Sequence, residues 1–426
     1  MTLFLIFVCL TAIGLIAYGF QILSIRSKLK ATNIKIKEAR QFLTSSESFC
    51  PPVSIIKPLK GLDDNLFDNL ESFCLQDYPE YEIIFSLQDC NDPAYKVARK
   101  VKEKHPDKDI SVITERCNIG LNPKVNNLIP AYKIAKYEHI LISDSNVLVS
   151  SNYLKEITKH MKDPSVGLVS NMIHGTSERT FGSILENLHL NSFIIGSVCL
   201  LDKYLRMPCV IGKSMLMRKK DLEFIGGLKA VKDVLAEDYI IGKRIHEMGK
   251  KVILSTHLIR NVNEYWGIKK FINRHTRWGK LRWKIGGISY ISELIGNPVF
   301  MSFLPLILLE VSKITLFFAM FVSFVKILGD IYIGKLIQKQ IKTTQLIKQK
   351  ITDSDALTFN PFRYFLSPLK DIIIGIIWFI PLVSNKVVWR GNRYKIGKDS
   401  QLSLCHDTGI LLWKYRLLNA LKTRFA

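Results

Sequence analysis

The sequence predicts an α/β domain with a mostly parallel sheet, set between membrane-seeking segments. Three observations carry this reading. Short β-rich runs alternate with helix-period stretches from Pro52 to about Asn263, the pattern of a parallel sheet covered on both faces. Residues Leu3 to Leu23 form a nearly continuous apolar stretch, and about 20 such residues span a hydrocarbon core as a helix. Two more apolar runs, Pro298 to Leu328 and Ile372 to Val383, lie in the last third.

The first run is interrupted by Thr11 and Gln21. No basic region precedes it and no small-residue cleavage site follows it, which predicts an uncleaved anchor over 1–25. Arg26, Lys28, Lys30, Lys35 and Lys37 follow in a linker, 26–50. The positive-inside rule then puts the next domain on the cytoplasmic face of an integral membrane protein, in a bacterial inner membrane or a Golgi-type membrane. The run from Pro298 carries Glu310 and Lys313, spaced to pair on one helical face or to mark an interfacial segment. If both C-terminal runs cross, Lys335, Lys339, Lys342, Lys348 and Lys350 fall outside, against the charge rule. The same stretch also suits a basic amphipathic helix lying on the bilayer.

Within the middle, strands are expected at Val53 to Ile56, Tyr81 to Leu87, Ile110 to Thr114, His139 to Ser143, Val166 to Val169 and Lys251 to Ser255. Helices are expected at Asn65 to Leu75, Asp92 to Lys104, Pro123 to Ala135, Tyr153 to Met161 and Tyr239 to Met248. The 426 residues exceed what one core usually fills, so appended segments are expected. A net charge of +23 favours anionic partners such as phospholipid head groups or phosphorylated substrates. The basic residues are spread along the chain, not gathered into a stripe with aromatics, which argues against nucleic acid as a partner. Eight cysteines without a CxxC pair or regular spacing read as scattered small hydrophobes in a reducing compartment.

Ligands of parallel sheets bind beyond the carboxyl ends of the strands, so polar residues just after a strand are the first site candidates. Three acidic clusters qualify: Gln88–Asp92, Ser143–Asn146 and Glu237-Asp238. Each has an ordinary explanation taken singly. Asp92 can be a helix N-cap, Asp144 a turn residue and Asp238 a carboxylate favoured at a helix start. Three together at one edge point to a site.

These clusters sit in an ordered set of motifs. They are Val53–Gly61 (VSIIKPLKG), Gln76–Pro79, Asn91–Ala94, Asn122–Asn127, Asp144–Asn146, Gly212–Met215, Gly226-Gly227, Ala236–Tyr239 and Arg274–Trp278, with Trp389-Arg390-Gly391 and Tyr394 near the end. In this order they resemble GT-A (Rossmann-like) glycosyltransferases, most closely the ceramide glucosyltransferase group and its hopanoid-associated bacterial relatives. The resemblance implies Asp238 as general base and Asp92, Asp144, Lys124, Arg274 and Arg277 around the nucleotide sugar. It places Trp278 and Lys213 on the acceptor side, with His174 a weaker candidate there. Asp144 and Asn146 would hold Mg²⁺ or Mn²⁺, although an amide stands where the common Asp-x-Asp motif has its second carboxylate. His246 and His257 have no partner motif and read as solvated or core-packed.

The organisation expected from these readings is a GT-A domain over 51–265, an amphipathic interfacial segment over 266–296, a membrane-associated region over 297–390 and a basic cytoplasmic tail over 391–426. The function implied is inverting transfer of a hexose, glucose favoured, from a UDP-sugar to the hydroxyl of a membrane lipid, ceramide favoured. Transfer of N-acetylglucosamine to a hopanoid, a processive polysaccharide synthase and a catalytically silent membrane scaffold are the alternatives. The synthase needs more spanning helices than the two or three candidates here.

Overall fold

The computed structural model describes residues 1–41, 49–207, 209–345, 359–389 and 392–405. The tail beyond 405, Lys348, Lys350, Arg390 and Gly391 lie outside the described residues. Eight strands form the main sheet: β1 (Val53–Pro58), β2 (Tyr81–Leu87), β3 (Ile110–Thr114), β4 (His139–Ile142), β5 (Val147–Leu148), β6 (Val166–Thr176), β7 (Met215–Arg218) and β8 (Lys251–Val262). Their order is β3-β2-β1-β4-β7-β6-β8-β5. The first four are parallel, β7 is antiparallel to both β4 and β6, and β6 is parallel to β8. With β7 reversing direction once on each side, β6 and β8 point the same way as β1 and β4. All their carboxyl ends therefore meet at one rim.

Burial on both faces explains the apolar runs that announced these strands. Ile55 packs with Leu70 and Phe73 of helix Leu66–Cys74, while Ile56 packs with Val125 and Leu128 of helix Pro123–Ile134. The expected strands and helices are present, with shifted ends. β6 and β8 run well past Val169 and Ser255, and β5 and β7 were not expected. A second, three-stranded sheet, β9 (Lys386–Trp389), β10 (Asn392–Ile396) and β11 (Leu402–Leu404), lies where a tail from 391 was expected. Its apolar face, Val387, Tyr394, Ile396 and Leu402, packs on Leu235 of the α/β domain.

The membrane segments also differ in detail. The first helix runs from Thr2 to Gln41, through the boundary expected at 26. The run from Pro298 is not one helix: it breaks between Pro298–Leu308 and Lys313–Gln345, and Glu310 falls in the break instead of sharing a helical face with Lys313. Pro305 marks the last turn of the first piece, as an internal proline commonly does. Among the described residues, four helices are long and apolar enough to cross a membrane: Thr2–Lys30, Phe181–Leu205, Lys313–Thr343 and Pro361–Val383. The second of these, which the sequence reading passed over, contains two π-helical turns.

Thr2–Lys30 and Lys313–Thr343 run side by side in the same direction. Phe4 meets Phe318 at 5.7 Å, the Tyr18 hydroxyl donates to Asp330 at 2.6 Å, and Ile25 shares a cluster with Ile333. Lys335, Lys339 and Lys342 therefore lie at the same end of this helix pair as Arg26, Lys28 and Lys30. Helix Pro361–Val383 is tied to the catalytic domain at both ends, by Arg363 to Glu178 and by Lys280 to the Ser384 hydroxyl (3.4 Å) and the Lys386 carbonyl (2.6 Å). Between these helices Lys326 pairs with Asp330 and Lys370 with Asp371, each at 2.6 Å, which neutralises charges that are costly in hydrocarbon.

Candidate active site

The loop after β4 supplies Asp144 and Asn146, and its shape is fixed from below. Lys57, fully buried in β1, donates to the Asp144 carbonyl at 2.9 Å and lies 3.6 Å over the Phe73 ring. Asn122 caps helix Pro123–Ile134 by accepting from Lys124 N and Val125 N, which sets Lys124 in the first turn at the strand-end rim. Lys124 Nζ lies 2.9 Å from Asp144 Oδ1 and 2.8 Å from Glu237 Oε1. Lys213 Nζ lies 3.0 Å from Asp144 Oδ2 and 2.5 Å from Asn146 Oδ1.

Asp238 stands in the first turn of helix Glu237–Glu247. Its carboxylate accepts from Gly212 N at 2.6 Å and from its own helix at Tyr239 N, 2.8 Å. Position 212 must be glycine for this approach, because a Cβ there would sit 2.7 Å from Lys124 Nζ and 3.0 Å from Asp238 Oδ2. Around these groups opens a cavity of about 780 Å³, ample for a nucleotide sugar. Lys124, Asp144, Asn146, Lys213, Asp238, Arg274, Arg277 and Trp278 all line it. Asp92 does not. It caps helix Pro93–Lys104 and accepts from Gly61 N at 2.8 Å, so it steadies the loop after β1 that carries cavity residue Asp63. His257 is buried against Ser150, in keeping with the core-packed reading, and His174 lies in a separate cavity.

Electrostatics separate three of the cavity carboxylates, Asp144, Glu237 and Asp238. Burial acts to raise the Asp144 pKa, but Lys124 and Lys213 overcome it and hold the group well below the usual carboxylate range. Glu237 is engaged by Lys124 and by the Asn122 amide at 3.0 Å. Asp238 is bonded to backbone N–H groups, and burial, then the Glu237 charge, pushes its pKa up to about 6 against the pull of Lys124. A carboxylate poised there suits proton abstraction near neutral pH. If Asp238 must be ionised to act, kcat/KM should climb about tenfold per pH unit below 6 and level off above it. A pH–rate profile whose acid limb sits near 4, the ordinary carboxylate value of about 3.9, would show that Asp238 is not the limiting group.

Helix Ile268–Gly286 forms the opposite wall. The Arg274 guanidinium lies between Trp266 (5.0 Å) and Trp278 (4.3 Å), with NH1 3.4 Å from Glu186 Oε1. Glu186 is fully buried in helix Phe181–His189, and its other oxygen meets His275 Nε2 at 2.8 Å. Sequence reasoning missed Glu186, Lys57 and Trp266. Lys57 had a signal, a lone charge in an otherwise apolar strand. Glu186→Gln is expected to raise the donor KM about tenfold, because a charge-assisted contact contributes about 1.5–3 kcal/mol. Steady-state kinetics with varied nucleotide sugar check this, and an unchanged donor KM would mean that Arg274 does not need this partner. Trp389 and Val388 of β9 complete the cavity, and Trp389 lies 5.9 Å from the Arg277 guanidinium. The small sheet is clamped beside the start of the Asp238 helix: Leu235 N donates to the Ser400 carbonyl at 3.0 Å and Leu402 N to the Asp233 carbonyl at 2.7 Å.

Fold and site together define a GT-A glycosyltransferase with membrane helices at both ends of its catalytic domain. The chain belongs to glycosyl transferase family 21, whose model matches residues 7–402. It is 26% identical to ceramide glucosyltransferase 3 of Caenorhabditis elegans over 358 residues, 84% of this chain and 75% of that protein. It is 28% identical to ceramide glucosyltransferase 1 of the same organism over 361 residues, 81% of this chain and 72% of that one. Among solved structures, a mannosyltransferase from Pyrobaculum calidifontis in complex with GDP-Man and Mn²⁺ is similar at a TM-score of 0.43, with 16% identity, over 85% of this chain and 99% of that one.

Proposed function

We propose that this enzyme transfers a hexose, glucose favoured, from a UDP-sugar to the hydroxyl of a membrane lipid, ceramide favoured, with inversion at the anomeric carbon. The observation that carries this is Asp238, a carboxylate with a raised pKa in the same cavity as the Asp144, Lys124 and Lys213 cluster. The names of the curated relatives support the lipid acceptor and the sugar. Asp238 takes the proton of the acceptor hydroxyl as that oxygen attacks the sugar from the face opposite the leaving diphosphate. Arg277, Arg274 and Lys124 stabilise the negative charge that develops on the diphosphate.

A divalent cation fits this site as part of a donor complex. Asp144 and Asn146 offer hard oxygens two residues apart, although Lys124 and Lys213 engage the carboxylate and Lys213 the amide. Among the described residues no group of three or more His, Cys, Asp or Glu is placed to hold an ion. Mg²⁺ is commonly bound through one or two carboxylates plus substrate phosphates, so the donor would supply the remaining ligands. The cation would add Lewis-acid stabilisation of the leaving group. Lysines on the catalytic side of both long helices favour a cytoplasmic active site.

The test is the full-length protein in nanodiscs, given UDP-glucose, UDP-N-acetylglucosamine and a panel of lipid alcohols. UDP release should accompany a gain of one hexose on ceramide. No UDP release with any acceptor would contradict the proposal.

A further inference from the structure

Two lysines share Asp144, and their surroundings make them unequal. Lys124 is also held by the Glu237 carboxylate at 2.8 Å, whereas Lys213 turns to the neutral Asn146 amide. Lys213 Nζ lies 3.0 Å from Asp144 Oδ2 and 2.5 Å from Asn146 Oδ1, so one ammonium bridges the two oxygens, two residues apart, that offer themselves to a divalent cation. The backbone around it is pinned. The Lys213 carbonyl accepts from Ser143 Oγ at 3.0 Å, and on either side Gly212 N donates to Asp238 Oδ2 at 2.6 Å and the Ser214 hydroxyl to Asn171 Oδ1 at 2.7 Å. The Lys213 side chain, 11% exposed, faces the catalytic cavity, where, among the described residues, six lysines and arginines meet four carboxylates.

We propose that Lys213 is an internal stand-in for the divalent cation: its ammonium holds Asp144 and Asn146 until a nucleotide diphosphate arrives, and cation and nucleotide then enter together as the ammonium swings onto the diphosphate. The proposal rests on the donor and cation reading above and adds the residue that makes the two ligands bind as a pair. Three observations support it. The ammonium already sits between the two oxygens, and a divalent ion placed there beside it would meet strong like-charge repulsion. The positive surplus of the lining works against a dication alone, and the diphosphate supplies the negative charge that reverses this. Of the two lysines, Lys213 is the one that can yield, because Glu237 keeps Lys124 in place. With Ser143 and Asp238 fixing the backbone around it, only the side chain has to move and the base stays where it is.

The experiment titrates Mn²⁺ into the full-length protein in phosphatidylcholine nanodiscs and follows the free ion by electron paramagnetic resonance, with empty nanodiscs and UDP alone as blanks. Neither acceptor nor transfer is involved. Without nucleotide, Lys213→Met should bind Mn²⁺ about tenfold more tightly than the parent, a factor within the usual range for coupled sites. Adding Asp144→Asn to Lys213→Met should abolish the gain, which places it at these oxygens. By reciprocity, Mn²⁺ should tighten UDP binding by a smaller factor in Lys213→Met than in the parent. Equal Mn²⁺ affinity in parent and Lys213→Met, or a gain that survives Asp144→Asn, overturns this proposal and leaves the lipid-transfer reading standing. The expected Mn²⁺ affinities in a protein that transfers sugar to no lipid do the reverse. If Mn²⁺ binds to neither protein, with or without UDP, this proposal and the cation reading fall together. If Lys213→Met melts well below the parent, its fold is disturbed and the same titration in Lys213→Gln decides.

Discussion

Asp238→Asn is expected to lower kcat by about 10²–10⁴-fold, the usual contribution of a positioned general base, with UDP affinity preserved. The asparagine keeps one oxygen able to accept from Gly212 N and gives up the contact with Tyr239 N in its own helix. What it loses is the basic lone pair. The neighbouring carboxylates offer no substitute: Glu237 is held by Lys124 and Asn122, and Asp144 by two lysines that hold its pKa well below the usual range. Stopped-time transfer assays with parallel UDP titration check the expectation. A variant within a few-fold of the parent would remove Asp238 from the mechanism.

Asp144→Asn should cost about 10²–10³-fold in turnover, the range seen when one preorganised electrostatic contact is removed, and should weaken UDP binding in the presence of Mn²⁺. Its carboxylate is the shared partner of Lys124 and Lys213, both largely buried, so neutralising it leaves two ammonium groups facing one another across the cavity. The loop itself should survive, because Lys57 grips the Asp144 backbone carbonyl and not its side chain. Calorimetric titration with UDP, with and without Mn²⁺, separates the two consequences. If the cation binds through this residue, stimulation of UDP binding by Mn²⁺ disappears in the variant. Retained stimulation would place the cation elsewhere.

The central strands were legible because a strand buried on both faces must be mostly apolar, as Val53–Ile56 and Tyr81–Leu87 are apart from Ser54, Glu82 and Ser86. β7 was not, since Met-Leu-Met-Arg is short and lacks β-branched residues. The far ends of β6 and β8 were hidden by Asn171, His174, Gly175 and Asn261, polar or small residues that serve the rim and the packing behind it. The carboxylates Asp144 and Asp238 could be found because they follow a strand or open a helix. Glu186 could not, because its importance comes from a helix nearly ninety positions away that brings Arg274 and His275 to it. Asp92 shows the opposite case. Its motif pointed to the nucleotide pocket, yet its carboxylate accepts from Ala94 N and Gly61 N, pairs with Lys60 at 3.3 Å and does not line the cavity. The stretch from 391 read as a basic cytoplasmic tail, whereas alternation in Asn392–Ile396 lets Tyr394 and Ile396 pack on Leu235.

The most direct measurement is the anomeric configuration of the glycolipid made by the purified protein from an α-linked UDP-sugar, read by NMR of the isolated product. One displacement with Asp238 as base predicts a β-linked sugar on the lipid hydroxyl. An α-linked product would contradict it, because retention requires a different path through the same cavity.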